Sequence, residues 1–291
     1  MRVETLGDLM ASAGRPKTVR RSKLTFKVAI LVALTWVSCF IRCTTDRDGR
    51  LVIITSTTML EAVVANVAGD RARVSSIVPG GQCPGHFDLK PRQMEAIEQA
   101  DLFIYHGYEA WLSEVTQIIG QQTNTMGVNL EGSWMVPDIH IEAIHAVRDS
   151  LISIDPAGER SYEDNALSYE NQVLRASRAA CGQLGRFHDT RVICSEMQSD
   201  FLTWVGFDVL ATYGRTENLT PKTIEHLIET GRRHGAGLVV DNLQSGPGIG
   251  EQIAIEMDAV HVVLTNFPLK HSYTEALEQN VELLRAKLES E

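Results

Sequence analysis

The sequence predicts an α/β protein of two lobes, each a parallel sheet flanked by helices, joined by one long rigid helix. Three observations carry this. Between residues 51 and 119, short apolar runs alternate with amphipathic segments, the pattern of βαβ units around a parallel sheet. The same alternation restarts at residue 191 and continues to 288, with no residue-level repeat between the halves. Between them lies a segment with no proline from 157 to 220, in which Tyr162, Ala166, Tyr169, Val173, Ala176 and Ala180 recur at steps of three and four, one face of a helix.

Taken in order, the apolar run Leu51–Ser56 reads as a buried strand and Met59–Val67 as a helix ending at Gly69. Val74–Val78 is a strand, Pro91–Gln99 a helix, Asp101–Tyr105 a strand and Ala110–Ile119 a helix. After Asp155-Pro156 the linking helix runs for about 28 residues, about 40 Å at 1.5 Å per residue, which makes it a strut rather than a flexible crossing. One more packing helix on a single large sheet is the alternative. In the second half the strands are Arg191–Cys194, Val209–Thr212, Leu238–Asp241 and Val260–Thr265. The helices between and after them are Asp200–Val205, Thr220–His234, Gly250–Met257 and Tyr273–Leu288.

A chain of 291 residues has room for two domains of roughly 100–150 residues. With 44% apolar and 22% charged residues it has material for real cores and is not a disordered chain. Its charge is unevenly placed. Residues 1–43 hold eight basic and two acidic residues, leaving 19 Lys and Arg against 35 Asp and Glu in residues 44–291, a formal −16. A body so acidic is a poor partner for nucleic acid, whose phosphates demand Lys and Arg. Cationic or neutral ligands suit it better.

The basic segment from Lys17 to Lys27 precedes the 14-residue apolar run Val28–Ile41, the shape of a secretory signal. The run is short for a membrane span, which needs about 20 residues. Trp36-Val37-Ser38-Cys39, followed by polar Thr44-Thr45-Asp46, has the outline of a lipoprotein cleavage box, with Cys39 as the point of lipid attachment and Cys43 a weaker candidate. Simple cleavage and retention as an uncleaved anchor are the alternatives. The expected organisation is an export segment at 1–46, an N-terminal lobe at 50–155, the linking helix at 156–188 and a C-terminal lobe at 189–291. The body would then lie in the periplasm or on the outer face of the cytoplasmic membrane.

Ligands of open parallel sheets sit beyond the carboxyl ends of the strands. That directs attention to residues 56–58, 79–86, 106–107, 131–137, 195–198, 241–242 and 265–266. The sharpest motif among them runs from Pro79 to Pro91. Gly80-Gly81 and Pro84-Gly85 bend this loop twice and present Cys83 and His86 on one side. A thiolate and an imidazole at this spacing suit a borderline-soft cation such as zinc; a buried loop pair is the blander reading. Of the five cysteines, Cys83, Cys181 and Cys194 lie outside the export segment, an odd number that leaves at least one thiol unpaired or ligand-bound. Cys181 and Cys194 read as buried free thiols, with a mutual disulfide as the alternative.

From residue 51 to about 288 the chain resembles the metal-binding solute-binding proteins of ABC transporters, the zinc/manganese type with a rigid helical backbone. The resemblance is carried by Thr57-Thr58-Met59-Leu60, Val67-Ala68-Gly69-Asp70, Val78-Pro79-Gly80-Gly81, Lys90-Pro91, the run Ala100 to Gly107, and Glu109 with Trp111-Leu112. Trp134-Met135-Val136-Pro137, Asp155-Pro156 and Tyr162-x-x-Asn165 extend it into the strut. It implies a metal held between the lobes by about four side chains. His86 matches the first histidine of that set. The place of the second, two residues before Trp134, is Gly132, and Cys83 is the nearby substitute. The third position, ten residues before Gly206, is Glu196. The fourth falls on Thr265-Asn266, where Asn is a weaker ligand than Asp, and Asp241 is the available carboxylate.

The expected ligands are therefore Cys83, His86, Glu196 and Asp241, two from each lobe, so that metal binding closes the cleft. The thiolate favours zinc over manganese, with other divalent transition metals as further candidates. His106 ends a strand and is an alternative ligand. His140 and His145 read as solvated on a polar helix face. Gln198, Asn242, Gln244 and Asn266 are candidates either to orient the carboxylates or simply to cap strand ends. Gly246-Pro-Gly248-x-Gly250 reads as a helix start. The function expected is capture of a divalent metal outside the cytoplasmic membrane by a monomer that hands it to an ABC permease. Two rivals stand beside it. One is a larger metal chelate such as haem, a corrinoid or a siderophore, lined by Tyr108, Trp134 and Trp204. The other is a metal-dependent hydrolase, for which no placed general base stands out.

Overall fold

The computed structural model describes residues 49–119, 123–246 and 248–290. The export segment and Cys39 lie outside the described residues. In chain order the N-terminal lobe contains β1 (Leu51–Thr57), α1 (Thr58–Ala68), β2 (Ala72–Val78), α2 (Pro91–Glu98), β3 (Leu102–Tyr105), α3 (Leu112–Ile118) and β4 (Asn124–Gly127). Two long helices follow, α4 (Pro137–Ile154) and α5 (Glu159–Leu184). The C-terminal lobe contains β5 (Arg191–Ser195), α6 (Ser199–Trp204), β6 (Asp208–Tyr213), α7 (Pro221–His234), β7 (Leu238–Asn242), α8 (Ile249–Met257), β8 (Val260–Leu264) and α9 (Tyr273–Leu288).

Both sheets are parallel and share one topology, β2-β1-β3-β4 and β6-β5-β7-β8. In each the chain moves outward on one side of the first strand, then returns to its other side. That reversal leaves a crevice at the carboxyl ends of the two central strands, where open α/β sheets take their ligands. Local signals set the elements in place. Thr57 caps α1 by accepting from the Leu60 amide at 3.3 Å, and Gly69, at φ 53°, ends it. Thr220 caps α7, Pro221 occupies its first turn, and Gly235 closes it in the left-handed region at φ 68°.

The predicted fold class is the one observed. One strand escaped the sequence reading, and one helix was read by its polar face alone. Strand β4 (Asn-Thr-Met-Gly) is an edge strand with little apolar content, so neither alternation nor an apolar run marks it. Helix α4 announces only its polar side; its buried side holds His140, Ala143, Ile144, Val147 and Leu151. His140 is thus not solvated. It is fully buried, stacked on Tyr273 at 3.7 Å, with Nε2 3.0 Å from the Tyr169 hydroxyl. His145 sits half-exposed against Glu170 at 3.0 Å.

The strut is α5, 26 residues long, about 39 Å at 1.5 Å per residue. Its expected face is buried, with Tyr162, Ala166, Tyr169, Val173, Ala180 and Leu184 turned inward against α1, α4 and α9. Its start is pinned to the N-terminal lobe. Asp155 accepts from Arg71 Nη2 at 2.6 Å, Arg71 Nε at 2.9 Å and the Tyr162 hydroxyl at 2.7 Å, and Asn165 donates to the Val67 carbonyl at 3.1 Å. Burial raises the Asp155 pKa, but the bonds from Tyr162 and Arg71 outweigh it and hold the carboxyl below the usual range. One hydrophobic core, from Ile53 and Leu102 through Tyr162 and Val173 to Val192, Leu238 and Leu284, runs through both lobes. No helix among the described residues is long and apolar enough to cross a membrane.

Candidate metal centre

A cleft of about 610 Å³ opens at the carboxyl ends of both sheets. Every strand among the described residues feeds it at or after its end: Met59 after β1, Cys83 and His86 after β2, His106 after β3, Trp134 after β4, Glu196 after β5, Arg215 after β6, Asn242 at the end of β7 and Asn266 after β8.

The Cys83–His86 loop is shaped by its own sequence. Pro84–His86 forms a single 3-10 turn in which the His86 amide donates to the Cys83 carbonyl at 3.2 Å. This brings Cys83 Sγ to 3.5 Å from His86 Nδ1. Trp111 Nε1 donates to the Pro84 carbonyl at 3.1 Å and braces the turn from beneath. Gly80 carries the loop against the C-terminal lobe. Its Cα lies so near the Pro268 carbonyl that no Cβ fits, and Gln244 Nε2 donates to the Gly80 carbonyl at 2.5 Å. Facing this loop, Glu196 opens a 3-10 turn after β5, with its carboxylate lying over Gly214.

His106 lies deeper and is 3% exposed. Its Nε2 is 2.9 Å from Thr57 Oγ1, and its ring stacks on Tyr108 at 5.0 Å and meets Trp134 edge-on at 4.4 Å. Burial pulls its pKa down to about 4, against a smaller upward pull from the Glu109 carboxylate. The imidazole is therefore neutral at neutral pH. With the proton on Nε2, the Nδ1 lone pair, which has no hydrogen-bond partner, is free to accept or ligate.

The expectation for Asp241 is corrected. Successive strand residues face opposite sides of a sheet, and at the end of β7 it is Asn242 that lines the cleft while Asp241 turns into the C-terminal lobe. There Asp241 Oδ1 accepts from the Tyr213 hydroxyl at 2.7 Å, and Oδ2 accepts from the Gly248 amide at 3.0 Å and pairs with His261 Nε2 at 2.9 Å. Burial raises its pKa, but the bonds from His261, Tyr213 and Gly248 prevail and hold it low. The carboxylate is fully engaged in holding the turn before α8. Gly250 packs directly against it, at 2.6 Å from a would-be Cβ to Asp241 Cγ.

The amides form a network of their own rather than orienting carboxylates. Gln198 Nε2 donates to Asn242 Oδ1 at 3.0 Å and to Asn266 Oδ1 at 2.7 Å. Gln244 Nε2 also donates to Thr265 Oγ1 at 2.8 Å, and its Oε1 accepts from the Asn266 amide at 3.0 Å. Trp134 reaches the cleft, whereas Trp204 packs on Phe201 in the core, with ring centroids 5.8 Å apart. Cys181 and Cys194 are free thiols; Cys194 is buried, which pushes its pKa up to about 12, but Cys181 is exposed rather than buried. The sequence reading missed Arg215 and Asn218 entirely. The signal was present, because both follow the strand ending at Tyr213, the one strand end left unexamined.

Among the described residues, no three His, Cys, Asp or Glu side chains are grouped as a ready-made metal site. Cys83 and His86 are a pair, and Glu196 and His106 line the same cleft. The arrangement can offer one cysteine sulfur, two imidazoles and one carboxylate, provided the loops converge.

The two buried histidines carry a pH consequence. His106 and His140 have folded pKa values of about 4 and about 3, against about 6.5 in an unfolded chain. Below pH 6.5 the unfolded chain binds protons that the folded chain refuses, so stability falls as pH falls, until the folded values are reached. Between pH 7 and pH 5 the metal-free protein is expected to lose about 4 kcal/mol from this pair. Urea unfolding at the two pH values measures it, and His140→Phe, which keeps a ring on Tyr273, should remove about half of the difference.

Residues 53–287 match the family model described as zinc-uptake complex component A, periplasmic. The manganese-binding lipoprotein MntA of Halalkalibacterium halodurans is 30% identical over 224 residues, 69% of this chain and 75% of that protein. The metal ABC transporter substrate-binding lipoprotein FimA of Streptococcus parasanguinis is 25% identical over 185 residues, 54% of this chain and 60% of that one. In fold, the manganese-bound periplasmic metal-binding protein of Candidatus Liberibacter asiaticus superposes with a TM-score of 0.73 at 18% identity, over 82% of this chain and all of that one. On the extent of the model match, two lobes, strut and inter-lobe cleft included, the chain belongs to the family of zinc-uptake complex component A.

Proposed function

We propose that the chain is the extracytoplasmic solute-binding component of an ABC transporter for a divalent transition metal. It captures the ion in the cleft between its lobes and hands it to a membrane permease. The observation that carries this is the Cys83–His86 pair, 3.5 Å apart, which lines the same cleft as Glu196 at the strand ends of both sheets. These three are the proposed ligands. His106, neutral and with Nδ1 unpartnered, takes the place first assigned to Asp241. Zinc is the first choice of cargo, because a thiolate is a soft donor. Manganese, for which MntA is named, and other divalent ions follow.

Residues 1–46 serve as the export segment, with Cys39 as the lipid anchor, in keeping with the relatives named as lipoproteins. The lobes are residues 50–155 and 189–291, joined by the helix at 156–188. The protein acts as a monomer, without nucleic acid and without catalysis; its relatives are named for binding in transport.

Metal analysis of the purified protein, with thermal unfolding in and out of zinc, tests this reading. One equivalent of metal and a stabilisation of about 2.7 kcal/mol at a hundredfold excess over Kd are expected. Protein that holds no metal and unfolds at the same temperature with zinc, manganese or neither would sink it.

A further inference from the structure

The cleft contains a guanidinium. Arg215 follows β6 and lines the same cavity as Cys83, His86 and Glu196, with its side chain 22% exposed. A fixed positive charge repels a bare divalent cation unless an anion lies between them. Arg215 is not consumed by its neighbours. It reaches Glu217 Oε1 at 3.3 Å and the Gln244 carbonyl at 3.4 Å, both long beside the 2.7–2.9 Å of a strong charge-assisted bond. A guanidinium has five N–H donors in a planar fork that fits a carboxylate.

Three further observations point to an occupant larger than an ion. The cavity, about 610 Å³, falls among the roughly 300–1,000 Å³ pockets that take small organic molecules. Tyr108 and Trp134 supply ring surface to it. In its wall, Ser195 is 2% exposed and its hydroxyl has no hydrogen-bond partner. A buried hydroxyl left unpaired costs free energy, which an acceptor brought by a ligand would recover.

We infer that the metal enters this cleft carrying a small carboxylate co-ligand, of the amino-acid or hydroxy-acid class. Arg215 takes the co-ligand's carboxylate, and the co-ligand's remaining donors fill the metal positions that Cys83, His86, Glu196 and His106 leave open. This rests on the metal-capture reading and refines what is captured.

The test titrates the purified full-length protein with zinc alone, zinc with excess citrate and zinc with excess L-histidine. Calorimetry gives affinity, and native mass spectrometry shows what is retained. With at least one of the two acids, the wild type should retain zinc and acid together at one each. It should bind that complex at least about tenfold more tightly than it binds zinc alone. The acid retained identifies the source, hydroxy acid or amino acid. In Arg215→Gln this ratio should collapse to about one, whatever the variant does to zinc alone, and Arg215→Lys, which keeps the charge without the fork, should fall between. If zinc binds and both acids merely compete it away, or if Arg215→Gln keeps the full ratio, the inference is overturned while the metal-capture reading stands. If zinc binds in no arm, both fall.

Discussion

Replacing Cys83 with Ser, or His86 with Ala, is expected to lower zinc affinity by more than about 100-fold, beyond the 10–100-fold that follows loss of a residue behind the ligands. The apparent melting temperature of metal-free protein should move by no more than a few degrees. Both expectations have the same origin. Cys83 and His86 stand on a bent loop whose bracing comes from Trp111 and Gln244, not from their own side chains. Removing them leaves the loop's supports in place. A serine hydroxyl, unlike a thiol, does not ionise near neutral pH, and it is a hard donor in place of a soft one. The preference for zinc over manganese should therefore shrink in Cys83→Ser as total affinity falls. Competitive titration with a fluorescent zinc chelator reads both quantities. Wild-type affinity in both variants would move the site away from this loop.

The second large effect runs the other way. Asp241→Asn should leave metal stoichiometry intact and destabilise the fold by about 2–4 kcal/mol, the scale of a buried carboxylate losing charge-assisted partners. For a body of this size that is roughly 5–15 °C in melting temperature. The amide can still accept from Tyr213, but its NH2 group then faces the Gly248 amide and His261. Because the folded pKa of Asp241 is lowered, the stability it confers is present above the unfolded value of about 3.9 and is lost as pH falls through the folded one. The gap between wild type and variant should therefore close in acid. Loss of metal at an unchanged melting temperature would restore Asp241 as a ligand and overturn the assignment made from its bonds.

What could be read in advance followed from periodicity. Alternating apolar runs located seven of the eight strands, and the three-and-four spacing from Tyr162 to Ala180 located the strut. Edge strand β4 was silent because an exposed edge needs no apolar run. The cleft was legible as a set of strand ends, and Cys83, His86 and Glu196 reach it. Asp241 failed on parity. The residue that reaches the cleft is its neighbour Asn242, and one step along a strand changes the face. His140 failed because the polar residues of α4 surround a side chain that the strut and α9 bury from the other side. Both errors concern which way a side chain points, and that is settled by partners on other elements: Tyr213, Gly248 and His261 for Asp241, Tyr169 and Tyr273 for His140.

The core that passes through the strut also determines how this molecule comes apart. Tyr162 and Val173 belong to the same apolar mass as Ile53 on one side and Leu238 on the other. Each lobe keeps a smaller apolar cluster of its own, around Ile97 and Phe103 in one and Ile193 and Val239 in the other, but the largest is shared. Cut at the strut, each half would expose the wall it had shared, so the two are expected to melt together, where a pair joined by a flexible tether would melt in two steps. A lesion far out in either lobe is thus felt by the whole protein, and a bound ion that steadies one lobe steadies both.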